Sequence, residues 1–257
     1  MKVSTKNNWE TFWQKKENVH EYYSNSDRVL RNLARTVDLA GKTVLEIGAG
    51  TGRDSLHLVE YKAVVYQLDY AFNALKLMKD VVAESGLEAH LIGGDAFQLP
   101  FADGTFDIVF HQGLLEHFRE PTATNLLKEN ARVLKPGGLL LVDVPQRYHV
   151  YTIMKHILIA LNAWFAGWER EFSIGELEHK LKELKLTPVH SYGEWMYPSL
   201  FYRVTREALM KIGIKLPLYP KFFAPLTALR KSIRESLLQT RFALYTSLSI
   251  GVIAKKP

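Results

Sequence analysis

Glu46, Gly48, Gly50 and Gly52 stand together in the stretch Val44–Gly52, which reads VLEIGAGTG, and Asp69 follows further along. Glycines at every second position allow a tight turn with positive φ and let backbone N–H groups come close to a ligand. A carboxylate two residues before the first glycine favours a cation or an amine over a pyrophosphate. An acidic residue about 20 positions past such a turn, at a strand end, is placed to accept hydrogen bonds from ribose hydroxyls. Asp69 fits that place, and the same carboxylate could instead cap a helix over Ala71–Glu84. The chemistry suggested is the holding of a positively charged nucleoside.

These residues need a particular scaffold. Val44, Leu45 and Ile47 form a short apolar run, as in a strand buried on both faces. Arg53–Leu58 reads as the first turns of a helix. Strand, glycine turn and helix make a nucleotide-type binding corner at the carboxyl edge of a parallel sheet. A dinucleotide fingerprint wants a third glycine where Arg53 stands, which dismisses a nicotinamide oxidoreductase. Further strands are predicted at Ala63–Leu68, Glu88–Ile92, Ile108–His111, Leu139–Val144, Thr187–Trp195 and Phe242–Ala254. Helices are predicted at Ala71–Glu84 and from Pro121 to Leu134. Strands alternating with helices predict a doubly wound parallel sheet.

The chain has 257 residues, 47% of them hydrophobic, no cysteine and a formal charge of +6. That length suits one α/β domain with additions. Without cysteine, disulfides, thiolate metal sites and cysteine nucleophiles are excluded. The positive charge is localised: from Ser199 onward there are eleven Lys/Arg against two Glu. Such a surface suits an anionic substrate, an acidic lipid surface or nucleic acid. The start MKVSTKNNWETFWQKKE has no apolar signal core, so a cytoplasmic protein is expected, peripheral to a membrane at most. No apolar run reaches the roughly 20 residues of a membrane-spanning helix.

The stretch Thr43–Val144 resembles the class I S-adenosylmethionine-dependent methyltransferases. The resemblance rests on VLEIGAGTG, on Gly93-Gly94-Asp95-Ala96, on Leu99-Pro100-Phe101 with Asp103-Gly104-Thr105-Phe106-Asp107, and on LKPGGLLLV. Its nearest subgroup is the broad set containing quinone-biosynthesis methyltransferases. It implies an α/β, Rossmann-like, doubly wound sheet of seven strands, mostly parallel with an antiparallel last strand. S-adenosyl-L-methionine is the implied cofactor and S-adenosyl-L-homocysteine the product. The implied cofactor-binding residues are Glu46, Gly48, Ala49, Gly50, Gly52, Asp69, Tyr70, Asp95, Ala96, His111 and Gln112. Asp95 and Ala96 match the family's adenine contacts, and the end of the fourth strand faces the methyl group in relatives.

Outside that core, residues 6–36 read as two helices, with Trp9, Phe12 and Trp13 at helical spacing. In the family such helices often cover the cofactor, and Tyr22 and Tyr23 could line the pocket. Tyr148–Trp168 carries an apolar face (Val150 through Phe165) that could cover a substrate, lie at a membrane interface or pack on the sheet. An insert over about 199–240 holds predicted helices at Thr205–Ile212 and Leu226–Gln239. The whole of 1–257 is expected to be a single methyltransferase domain, with a core over about 37–145 and a helical lid or insert over about 146–172. A hydroxyl acceptor would need a base; the candidates are His117, His149 and Tyr148, and Glu116 beside His117 invites an acid–base pair. No metal-ligand spacing is present, so a metal-independent enzyme is expected. The expected acceptor is a small molecule, hydrophobic or anionic. Contact of the basic C-terminal region with an anionic membrane is a further expectation, and nucleic acid is disfavoured for want of a recognisable RNA-binding module. A non-catalytic cofactor- or lipid-binding relative and an RNA methyltransferase stand as the alternatives.

Overall fold

In the computed structural model, residues 5–15, 27–162, 164, 166–220, 224–238 and 240–257 are described. Helices α1 (Lys6–Gln14) and α2 (Asp27–Ala34) come first. Then follow β1 (Thr43–Ile47), α3 (Arg53–Val59), β2 (Val64–Asp69), α4 (Phe72–Ser85), β3 (His90–Gly93) and β4 (Phe106–Gln112). A single 3₁₀ turn, Leu115–His117, leads to α5 (Thr122–Val133), β5 (Leu134–Pro145), α6 (Val150–Ala160), α7 (Ile174–Glu183) and β6 (Thr187–Glu194). The chain ends with α8 (Leu200–Met210), α9 (Ala224–Leu238), α10 (Arg241–Thr246) and β7 (Ser249–Lys255). Tyr22, Tyr23 and Phe165 lie outside the described residues.

The seven strands form one sheet in the order β3-β2-β1-β4-β5-β7-β6. β1 pairs in parallel with β2 and β4, and β7 runs antiparallel to both β5 and β6. Each face has its own core. Leu45, Ile47, Val109, Leu140 and Val142 pack with Leu126 and Leu127 of α5 and Leu177 and Leu181 of α7. Val44, Val65, Ile108, Phe110 and Leu141 pack with Val29 and Leu33 of α2 and Leu58 of α3. Successive strand residues point to opposite faces. This alternation sends Glu46, Gln67, Gln112 and Asp143 to the α2–α3 face, and there they build a polar cluster.

Two expected elements are shorter than the sequence suggests. The helix expected over Tyr148–Trp168 spans only Val150–Ala160; Asn162 adopts φ +53° just beyond it, a left-handed conformation that ends a helix. The last strand does not begin at Phe242. Residues 241–246 are helical, because the β5–β7 ladder ends at Pro145↔Ser249 and nothing remains for an earlier residue to pair with. The insert helices also begin sooner, at Leu200 and Ala224, with Ser199 capping the first by accepting from the Tyr202 N–H.

Candidate functional site

A cavity of about 330 Å³ opens where β1 and β4 lie side by side and the strand order reverses. Ligands bind at such a switch point because the loops leaving the two strands diverge there. Its floor is the glycine turn, where Gly48 and Gly50 line the cavity and Gly52 does not; the three have φ of +66°, +54° and +68°. Trp9 and Trp13 of α1 close it from above. Glu10 fixes α1 in place. Its carboxylate accepts from the N–H groups of Phe72 (2.7 Å) and Asn73 (3.0 Å) at the start of α4. Those groups have no partner within their own helix, so Glu10 serves as a cap delivered from another element.

Asp69 holds the turn from the side. One carboxylate oxygen accepts from the Gly50 N–H at 3.0 Å and the other from the Ala71 N–H at 2.9 Å. The Ala71 N–H precedes the first turn of α4, whose own first N–H groups go to Glu10, so Asp69 lines the cavity and does not cap that helix. Glu46 reaches across to α3 and accepts from the Ser55 hydroxyl at 2.5 Å. Gly52 lies behind the wall: Gln67 Nε2 donates to its carbonyl at 2.6 Å, and a Cβ there would fall 2.5 Å from Gln67. Asp95 accepts from the Phe97 N–H at 2.9 Å within its own turn.

The cavity wall is rich in carboxyls. Burial pushes the Glu46 carboxyl well above its ordinary value, and the neighbouring Asp54 adds to the rise. Burial raises Asp54 and Asp69 as well; Arg28 and Arg53 draw Asp54 back, as backbone donors do for Asp69. Three carboxyls crowded in this way favour a cation that would share them. Behind them Arg28 Nε donates to Gln112 Oε1 at 2.7 Å, Arg28 also pairs with Asp143 at 3.2 Å, and Asp143 accepts from the buried Tyr192 hydroxyl at 2.8 Å.

Of the residues singled out from sequence, Glu46, Gly48, Ala49, Gly50, Asp69, Tyr70, Asp95, Ala96, Gln112 and His117 line this cavity. His111 does not. It is fully buried on the opposite sheet face, with neither ring nitrogen hydrogen-bonded, and burial pushes its pKa down to about 3. His149 caps α6, its Nδ1 accepting from the Tyr151 N–H, and Tyr148 is exposed on the surface; neither lines the cavity. Glu116 is buried with Oε2 unpartnered and its carboxyl pushed well up by burial and by Glu169. Sequence reading missed Asp54 and Lys6 on the wall. An acidic residue in the first turn of the helix after the glycines was the available signal for Asp54.

The methyltransferase-domain family profile matches residues 45–142. The chain is 30% identical over 178 residues to phosphatidylethanolamine N-methyltransferase of Cereibacter sphaeroides, covering 65% of this chain and 84% of that one. This chain belongs to the class I S-adenosylmethionine-dependent methyltransferases. The demethylmenaquinone methyltransferase of Corynebacterium kroppenstedtii is 37% identical over 102 residues, which cover 40% of this methyltransferase and 41% of that enzyme. The chain spans less than two thirds of the length of most such curated relatives. Magnesium protoporphyrin IX methyltransferase from Synechocystis PCC 6803, solved with bound SAH, superposes with a TM-score of 0.59 at 14% identity, over 90% of this chain and 81% of that one. The expected seven-stranded sheet with one antiparallel strand is the fold found. The residues fit S-adenosylmethionine: a turn only glycine can make, beside crowded carboxyls suited to a sulfonium and an ammonium group. Among the described residues no helix is long and apolar enough to cross a membrane, and no group of three or more His, Asp or Glu is placed to hold a metal.

Proposed function

We propose that this methyltransferase acts on a small acceptor with an apolar body. The observation that carries the reading is the mixed lining of the cavity. Glu46, Asp54 and Asp69 line it together with Trp9, Leu114 and Phe118, and Trp9 packs against His117. S-adenosylmethionine, when bound, supplies an electrophilic methyl carbon on a sulfonium. The chain's own contribution is placement and dryness. The carboxyls attract the cationic group, Asp69 stands ready for ribose hydroxyls, and the two tryptophans exclude water from the reacting pair.

Transfer of labelled methyl from S-adenosylmethionine to lipid, quinone, sugar and RNA extracts tests the reading. Label is expected in an organic-soluble product. Label in RNA alone would replace this reading with the nucleic-acid one, and binding of S-adenosylhomocysteine with no transfer to any extract would leave a cofactor-holding protein.

We also propose peripheral contact with an anionic bilayer. On α6 the buried residues are Lys155 and Ile159, while Val150, Ile153, Ile157 and Leu161 point outward. Phe201 and Val204 of α8 and Leu229 and Ile233 of α9 are exposed too. The apolar side chains of α8 and α9, in the region from Ser199 onward that carries the excess positive charge, match a surface with acidic headgroups over an apolar interior. Co-sedimentation with phosphatidylserine vesicles at physiological salt is expected, with loss in Leu229→Ser/Ile233→Ser. Equal recovery in the supernatant with and without vesicles would overturn it.

A further inference from the structure

Glu194 closes β6, just before the insert, and stands opposite Ser249 on the β6–β7 ladder. Its side chain is 2% exposed, yet it takes one cation from α2 and another from α9. Arg31 of α2 donates to Glu194 Oε2 at 2.5 Å. Arg234 of α9 donates to Glu194 Oε1 and, at 3.0 Å, to the Trp195 carbonyl. One turn before Arg31, Arg28 donates to Ser249 Oγ at 2.8 Å. Two arginines of α2 thus grip two residues that face each other across one ladder. Arg28 also holds the side chain of Gln112, which lines the cofactor cavity. Charged contacts therefore run from α9 through Glu194 and α2 to the cavity wall.

The seat of α9 depends on these contacts. Apolar burial usually fixes a surface helix to its domain. On α9 the polarity is reversed: Leu226, Leu229, Ile233 and Leu237 are exposed, while Arg230 and Arg234 are half-buried. Arg230 lies over the Tyr197 ring, 4.4 Å from its centroid. On α2, by contrast, Val29 and Leu33 are buried against the sheet. That helix moves as a packed unit, so a displacement at Arg31 is carried to Arg28.

We propose that Glu194 is a positioning residue for the cofactor site: it ties the insert helix α9 to α2, and the seating of the insert thereby sets the affinity for cofactor. The inference holds whatever the acceptor is. Without Arg234 the buried carboxylate loses a charge partner, and α2 shifts to bring Arg31 closer to it. Arg28 shares that helix, so its hold on Gln112 loosens. Affinity then falls with the fraction of molecules in which the wall is formed.

The test is calorimetry of the full chain with S-adenosylhomocysteine, at a temperature where circular dichroism shows every variant folded. Arg234→Gln is expected to weaken binding about fivefold, an ordinary coupling between separate sites, and Glu194→Gln by at least as much. One nitrogen of Arg234 makes both contacts, which an ammonium can also make, so Arg234→Lys recovers most of the loss. Lys231→Gln, on the outer side of α9 with its ammonium 3.8 Å from Glu235, leaves affinity unchanged. Amide exchange in residues 27–34 quickens in Arg234→Gln along with that of α9. A merely structural latch would lower the thermal midpoint and free α9, with affinity and α2 exchange as in wild type; that result overturns the proposal. An equal loss in Lys231→Gln overturns it too, because it traces the effect to charge on α9 and not to Glu194. If Glu194→Gln does not fold, Arg234→Gln decides, since that side chain is partly in water. Failure of wild type to bind S-adenosylhomocysteine overturns the cofactor reading and this proposal with it, and calorimetry on wild type alone tells that failure from the others.

Discussion

The ring of Trp13 lies directly on Gly50: a Cβ added to that glycine would fall 2.6 Å from Trp13 Cζ2. The covering helix and the cofactor turn are in contact at their narrowest point, and the residue beneath the indole can only be glycine.

Gly50→Ala should therefore fail twice, by the clash and by its φ of +54°. A left-handed conformation costs a residue with a Cβ about 1–2 kcal/mol, so S-adenosylhomocysteine affinity should fall about tenfold or more by calorimetry. Trp13→Ala in the same chain should recover only part of it, since the strain in φ remains. Full recovery would show that contact with the indole is the whole cost.

Asp69→Ala removes the acceptor for two buried N–H groups, those of Gly50 and Ala71. A hydrogen bond to a charged group is worth about 1.5–3 kcal/mol, so affinity for S-adenosylhomocysteine should drop at least tenfold. Unchanged affinity would remove Asp69 from the cofactor site.

Glu10→Ala leaves the first N–H groups of α4 without their partner from α1. Loss of a helix cap costs about 1 kcal/mol. Here it is expected to appear as loosening of α1: faster amide exchange in residues 6–14 and red-shifted tryptophan emission, with exchange in β1 unchanged.

His111 sets a pH dependence of stability. Its pKa is pushed down to about 3 in the fold by burial, against about 6.5 in an unfolded chain. Below pH 6.5 the unfolded chain gains a proton that the folded one refuses. Stability is thus complete above that pH and falls as the pH drops towards 3. At pH 5 the loss from this residue is about 2 kcal/mol. Urea midpoints at pH 7.5 and 5 should differ less in His111→Leu than in wild type. The same drop in both chains would remove His111 as the cause.

Lys155→Met would leave Glu169 and Glu171 buried without their cation. Breaking such a group costs about 3–5 kcal/mol. A thermal midpoint lower by on the order of 10 °C is expected for a chain of this size. A midpoint within 2 °C or so of wild type would show that the two glutamates find other partners or protons.

Sequence by itself determined the strand–turn–helix corner, the cofactor class and most of the cavity wall. Those features are local: Glu46, the three glycines and Asp69 act through spacing along one βαβ unit, and spacing is visible in a string of letters. Alternation along β4 was a signal left unread: the sequence placed both His111 and Gln112 at the cofactor, while Gln112 reaches Arg28 and His111 is buried on the other face. Tertiary structure alone decided which carboxylate stands behind His117. The neighbour in sequence, Glu116, turns into the core, and Glu169 arrives from beyond α6. It also decided that Lys155 points inward while its apolar neighbours point out, against the amphipathic pattern of α6, because two buried glutamates supply the charge that a lysine needs there. The helix at 241–246 was hidden for a similar reason: its residues read as a strand until the end of β5 leaves them no ladder to join.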